Sequence, residues 1–180
     1  EALDVLYSYK GAKINDIMTV SDLKTARYSF VGPLSVGMTL GKHTKKQLVA
    51  VEKFGQLVGI AFQLQDDYLG VFGDEKVLGK STLSDMREGK NTLIIHKAKH
   101  LASPEDSKII SKIWGNPKTD IEELEKIREI IRKCGALAWC KKENLRLSAI
   151  AKKEVAKITK DNLLQQILDG VADYVIDRNK

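Results

Sequence analysis

From Thr44 to Phe72 the chain has no proline, and its apolar residues thicken toward the middle. A helix over this stretch is about 40 Å long at 1.5 Å per residue, and neighbouring elements have to pack along it. Gly55 and Gly59 are four apart and open one face to close approach by another helix. Gln63, Asp66, Asp67 and Gly70 follow at i, i+3, i+4 and i+7, so they share a face as well. The residues just before them are nearly apolar all round, which implies a buried helix. Adjacent carboxylates on such a helix are costly unless each charge finds a partner. Hard divalent cations would satisfy both, because Mg²⁺ takes a few carboxylate oxygens and completes its shell with phosphates and water. The plainer alternative is that Asp66 and Asp67 pair with lysines at a helix end.

The rest of the chain reads as helices with short connections. Nothing alternates like a strand over a useful length. Ser21 before Asp22-Leu23-Lys24 has the form of an N-cap, and that helix bends or pauses near Gly32-Pro33. Gly73 to Asn91, with three glycines and many charges, reads as a long loop. Ser103-Pro104-Glu105-Asp106 opens a helix that closes by Asn116-Pro117. Asp120 with Glu123 caps the next, which runs to Cys134 and stops at Gly135. Ala136 to Lys157 and Asn162 to Ile176 are two further amphipathic helices. The expected architecture is all-α, an antiparallel helix bundle with one functional loop.

Charge bears on the ligand. The chain has 180 residues and a net charge of +6, with lysines and acids interleaved and no basic block of five. That pattern argues for a solvated surface and against nucleic acid, while a basic balance also suits polyanionic small substrates. No apolar run reaches the length of a membrane span, so no integral membrane association is expected. Cys134 and Cys140, six apart, fall on different helix faces and fit a reducing cytoplasm.

After the acidic pair comes Gly79-Lys80-Ser81-Thr82-Leu83-Ser84-Asp85-Met86-Arg87-Glu88-Gly89-Lys90-Asn91-Thr92, which sets lysines beside glycines. Metal ligands with mobile ammonium groups make a diphosphate clamp. Phe62-Gln63-x-x-Asp66-Asp67, then Gly79-Lys80 and Gly89-Lys90-x-Thr92, resembles the second half of the trans-polyprenyl diphosphate synthase signature. Lys24-Thr25-Ala26-Arg27-Tyr28 is similar to that family's lysine-threonine motif. The resemblance runs from Lys24 to Thr92; the later helices are compatible but carry no named motif.

The resemblance implies an isoprenoid-synthase bundle that joins isopentenyl diphosphate to an allylic diphosphate in the presence of Mg²⁺. It implies Asp66 as a metal ligand, and Asp67 as a ligand or a support for metal-bound water. It assigns Lys24, Lys80 and Lys90 to diphosphate, and Phe62, Gln63, Thr25 and Tyr28 to the substrate channel. It also implies a homodimer. Gly70 departs from the motif, whose last residue is an acid, and the only Asp-Asp pair is Asp66-Asp67, so the family's first aspartate-rich motif is absent. The chain also opens on Glu1-Ala2-Leu3-Asp4 as if inside a segment. Residues 1–180 are therefore expected to be the C-terminal part of one synthase domain, inactive alone. Two alternatives are a catalytically silent subunit tuning a partner synthase and a terpene cyclase. A silent subunit would be expected to lose Asp66 or Lys80, and the glutamine–aspartate motif followed by a lysine favours elongation over cyclisation. His96 and His100, at i and i+4, lack a third ligand in the sequence pattern, and Trp114 and Trp139 are expected to pack.

Overall fold

The computed structural model describes residues 12–79 and 81–179, so Lys80 lies outside the described residues. Among these residues every regular element is helical. In chain order they are α1 (Ile14–Ser21), a π-helical segment (Asp22–Val31), α2 (Gly32–Leu40), α3 (Lys45–Phe72), α4 (Glu75–Leu78), α5 (Leu83–Arg87), α6 (Leu93–Leu101), α7 (Pro104–Ile113), α8 (Ile121–Lys133), α9 (Ala136–Ile158) and α10 (Asn162–Asp177). The all-helical expectation is met. Two compact units share the chain: one is built mainly on Asp66–Lys142, the other on Met18–Gln65 and Glu143–Arg178.

In the second unit a continuous core joins Val51, Phe54 and Val58 of α3 to Leu147 and Val155 of α9 and Leu168 and Ala172 of α10. Here α3 receives the π-helical segment at its glycines. A Cβ on Gly55 would stand 3.1 Å from Val31 Cα, and one on Gly59 only 2.3 Å from Ala26 Cα. The spacing of these two glycines thus does what it promises, since only hydrogen leaves room for a backbone this close.

Two local expectations are corrected. Ser21 is no N-cap: its φ/ψ of −60°/−41° is helical and its side chain makes no capping bond. Residues from Ile14 onward are already helical, so no helix begins there and a cap has no orphan N–H groups to satisfy. The chain widens into a π-helix instead, closed by Gly32 N–H bonding back to Arg27 O. Pro33, which has no N–H to give, falls just where this wide helix returns to α2. The expected pause at Gly32-Pro33 is this change of winding.

The stretch 73–91 is also more ordered than a loop. Asp74 caps α4 by accepting from Lys76 N at 2.9 Å, and Gly79, at φ +67°, ends it. Glu75 then gathers Ser81 Oγ, Thr82 N and Thr82 Oγ1 within 2.9 Å and so seats the start of α5. In the same unit α6, α7 and α8 pack on one another and α8 touches α5, burying Met86, Ile94, Ile110, Leu124, Ile127 and Ile131. The caps further on match expectation. Ser103 accepts from Asp106 N at 3.1 Å. Asp120 and Glu123 form a reciprocal capping box, and Gly135 takes φ +84°.

Candidate functional site

On the Met18–Gln65 side, the crossing at Gly59 brings Thr25 beside Gln63, one helical turn further on. Thr25 Oγ1 donates to Gln63 Oε1 at 2.5 Å, and Thr25 is buried. Asp22 ties the π-helical segment down by accepting from Gln56 Nε2 at 2.9 Å and from Arg27 Nε at 2.8 Å. Lys24 and Tyr28 are exposed, Tyr28 by 81%. Phe62 is committed to packing: its ring lies 5.5 Å from that of Phe30, and the Arg178 guanidinium stacks 3.8 Å from its centre.

On the Asp66–Lys142 side, the two aspartates have different surroundings. Asp66 is half-buried, whereas Asp67 is buried and turned inward. Asp67 Oδ2 accepts from Leu93 N at 3.3 Å, at the first residue of α6, where a carboxylate meets unsatisfied N–H groups and the positive end of the helix. Cys140 lies close enough to feel it. Burial, with the charge of Asp67 added, pushes that thiol up to about 12 and leaves it an inert core residue.

Lys90 is held at three points. Its Nζ donates to Asp85 Oδ1 at 2.5 Å, its N–H donates to Asp85 O at 3.1 Å, and its carbonyl accepts from Trp114 Nε1 at 2.9 Å. Burial alone lowers the pKa of its ammonium, but the hydrogen bond and charge of Asp85, with Glu88 behind, outweigh that and hold it above the ordinary lysine value. Gly89, at φ +66°, lets the turn press on Gly115: a Cβ there would stand 3.0 Å from Gly115 Cα. From α8, Arg128 Nε donates to Val71 O at 2.6 Å, and from α5, Arg87 Nε donates to Thr119 O at 2.9 Å.

The sequence-predicted residues thus fall into groups. Thr25 meets Gln63; Asp67 meets α6; Lys90 meets Asp85; and Lys80 is not described. Asp85, Trp114 and Arg128 were not singled out for the site from the sequence, although Asp85, five residues before Lys90 in a glycine-bounded segment, was a readable signal. Among the described residues no three His, Cys, Asp or Glu side chains converge on a metal position, and His96 with His100 gain no third ligand. The donor set nevertheless fits a divalent cation. Asp66 is a half-buried carboxylate, a hard oxygen donor, and Mg²⁺ is commonly held by one or two carboxylates with phosphates and water supplying the rest. Among the described residues no helix is long and apolar enough to cross a membrane.

Residues 1–131 match the family model for polyprenyl synthetase. A geranylgeranyl diphosphate synthase of Saccharolobus solfataricus is 33% identical over 147 residues, covering 81% of this chain and 44% of that protein. An octaprenyl diphosphate synthase of Escherichia coli is 30% identical over 171 residues, covering 91% of this chain and 50% of that one. The crystal structure of a geranylgeranyl pyrophosphate synthase from Corynebacterium glutamicum, complexed with isoprenyl diphosphate and magnesium, superposes with a TM-score of 0.91. Identity there is 30%, over 98% of this chain and 50% of that one. The chain therefore spans about half the length of the relatives it matches.

Proposed function

Because this chain belongs to the polyprenyl synthetase family, we propose that it carries the C-terminal share of a prenyltransferase site that joins isopentenyl diphosphate to an allylic diphosphate. The observation that carries the reading is the different surroundings of the paired aspartates: Asp67 is buried and accepts from Leu93 N, while Asp66 beside it is half-buried. When bound, Mg²⁺ supplies charge neutralisation for the leaving diphosphate. Asp66 would hold it, with Asp67 fixing the helix end behind.

The chain's own residues do the rest. Lys90, already pinned and fully protonated, donates hydrogen bonds to diphosphate oxygens as negative charge grows on them. Lys24 and Lys80 are assigned the same anion. Thr25 and Gln63, joined by their hydrogen bond, present a polar wall to the allylic group, with Tyr28 exposed on the same segment as Thr25 and Phe62, next to Gln63, serving the wall by packing on Phe30. No protein nucleophile is required. The motif of paired acids found once in this sequence leaves the second metal anchor to the family's other aspartate-rich motif. A second copy of the chain is the proposed partner, supported by the exposed Val36 and Leu40 of α2. The proposed compartment is the cytoplasm, in keeping with the free Cys134 and Cys140.

The test is turnover of labelled isopentenyl diphosphate with geranyl diphosphate and Mg²⁺. In the full-length protein, Asp66→Ala is expected to cost at least about a hundredfold, and the 180-residue chain alone is expected to form no product. Unchanged turnover in Asp66→Ala would remove that carboxylate from the reaction.

A further inference from the structure

Gly70 stands where the resembled motif ends in an acid, one turn beyond Asp66 on α3. The space its side chain would fill is taken. A Cβ on Gly70 would lie 2.3 Å from Asp85 Oδ2, 3.3 Å from Asp85 Cγ and 3.9 Å from Asp85 Cβ. A carboxylate therefore does sit at this turn, but it arrives from α5. Its side chain is 9% exposed, and the Nζ of Lys90, whose side chain is 38% exposed, lies 2.5 Å away. Ammonium carries three donors; one is committed to Asp85, and the exposed Glu88 carboxylate stands further off at 3.5 Å.

We propose that Asp85 takes the place of the acid missing at position 70, as a positioning residue that aims the Lys90 ammonium at a diphosphate-type anion beside the Asp66 turn. A side chain at residue 70 would have to displace that carboxylate oxygen. Asp85 acts through Lys90, whose Nζ lies 2.5 Å from its Oδ1. Its burial makes the pair rigid: a carboxylate so far from water holds the Lys90 ammonium in one place. The Trp114 and backbone bonds to Lys90 fix the other end of the lysine, so its long side chain loses little freedom when an anion arrives.

The ligand part rests on the functional reading above; the packing part does not. A thermal double-mutant cycle tests the packing. Alanine normally stabilises a helix interior relative to glycine, yet Gly70→Ala is expected to lower the melting temperature while Asp85 is present. In an Asp85→Ala background the same change is expected to raise it. An equal effect in both backgrounds overturns the claim that a side chain at residue 70 has to displace Asp85. Calorimetric titration of the purified chain with pyrophosphate in Mg²⁺ buffer tests the aim. Asp85→Asn removes a negative charge, so simple attraction predicts tighter binding. The proposal instead expects about tenfold weaker binding, no worse when combined with Lys90→Ala than in Lys90→Ala alone. Unchanged or tighter binding in Asp85→Asn overturns the positioning role. A wild-type chain that does not bind pyrophosphate overturns the ligand part through the functional reading itself, and the thermal cycle still decides the packing.

Discussion

Gly55 to Gln63 and Asp66 to Phe72 are neighbouring stretches of α3 that hold their functional side chains by different means. Along the first, position is set by volume. The π-helical segment crosses so closely that a Cβ on Gly59 would overlap the Ala26 backbone, and the Thr25–Gln63 hydrogen bond follows from that crossing. Along the second, position is set by a polar framework: Asp67 to Leu93 N, Asp85 to Lys90, Arg128 to the Val71 carbonyl. A crossing fixed by volume fails as a whole when one atom is added, because packed backbones do not yield gradually. A hydrogen-bonded framework fails bond by bond, and each loss stays local.

The sharpest way to break the comparison is Gly59→Ala. Helix propensity alone would favour alanine by up to about 1 kcal/mol, but the overlap is expected to reverse the sign and cost about 3 kcal/mol in chemical denaturation. A neutral or stabilising result would show that the crossing has slack. Next in size, Arg128→Ala strips the Val71 carbonyl of its donor and is expected to cost about 2 kcal/mol. Its signature is regional: hydrogen exchange should speed up across residues 73–92 and stay unchanged in the π-helical segment. Faster exchange in both regions would mean that the two stretches are not held independently. Thr25→Val, which keeps the shape and removes the bond to Gln63, is expected to cost only about 1 kcal/mol. A cost as large as that of Gly59→Ala would make the hydrogen bond, and not the volume, the organiser of that stretch.

The smallest effect is electrostatic. Glu154 accepts from Lys157 at 2.8 Å and Lys53 at 2.7 Å, and these bonds, Lys157 first, hold its carboxyl below the ordinary glutamate value of 4.5 despite its burial. A depressed folded-state pKa contributes stability above the unfolded value that is lost as pH falls through the folded one. The melting temperature should therefore drop on acidification below 4.5, and Glu154→Gln should flatten part of that drop. An identical acid slope in the glutamine variant would remove the pair from the account.

Much of this was legible in the chain. The helical class, the long α3, the close-approach glycines and the caps at Ser103 and Asp120 all rest on local rules of period, propensity and capping, which operate within a few residues. Ser21 misled because a capping residue is recognisable locally, while whether a helix is already under way depends on what precedes it. Residues 73–91 misled for a related reason. Glycines and charges read as a loop, but Glu75 and Arg128 gather that segment through partners between 6 and 46 residues away.

By itself the sequence determined that Gln63, Asp66, Asp67 and Gly70 would share a helical face, because they recur at the helical repeat whatever surrounds them. Only the tertiary structure decided how their surroundings differ. Asp66 and Asp67 are chemically identical neighbours, and one is turned to cap α6 because the N-terminus of that helix lies there. Gly70 lacks an acid, and Asp85 brings one to the same place from another helix. Burial and partnership are properties of position in space, and spacing along a single helix does not carry them.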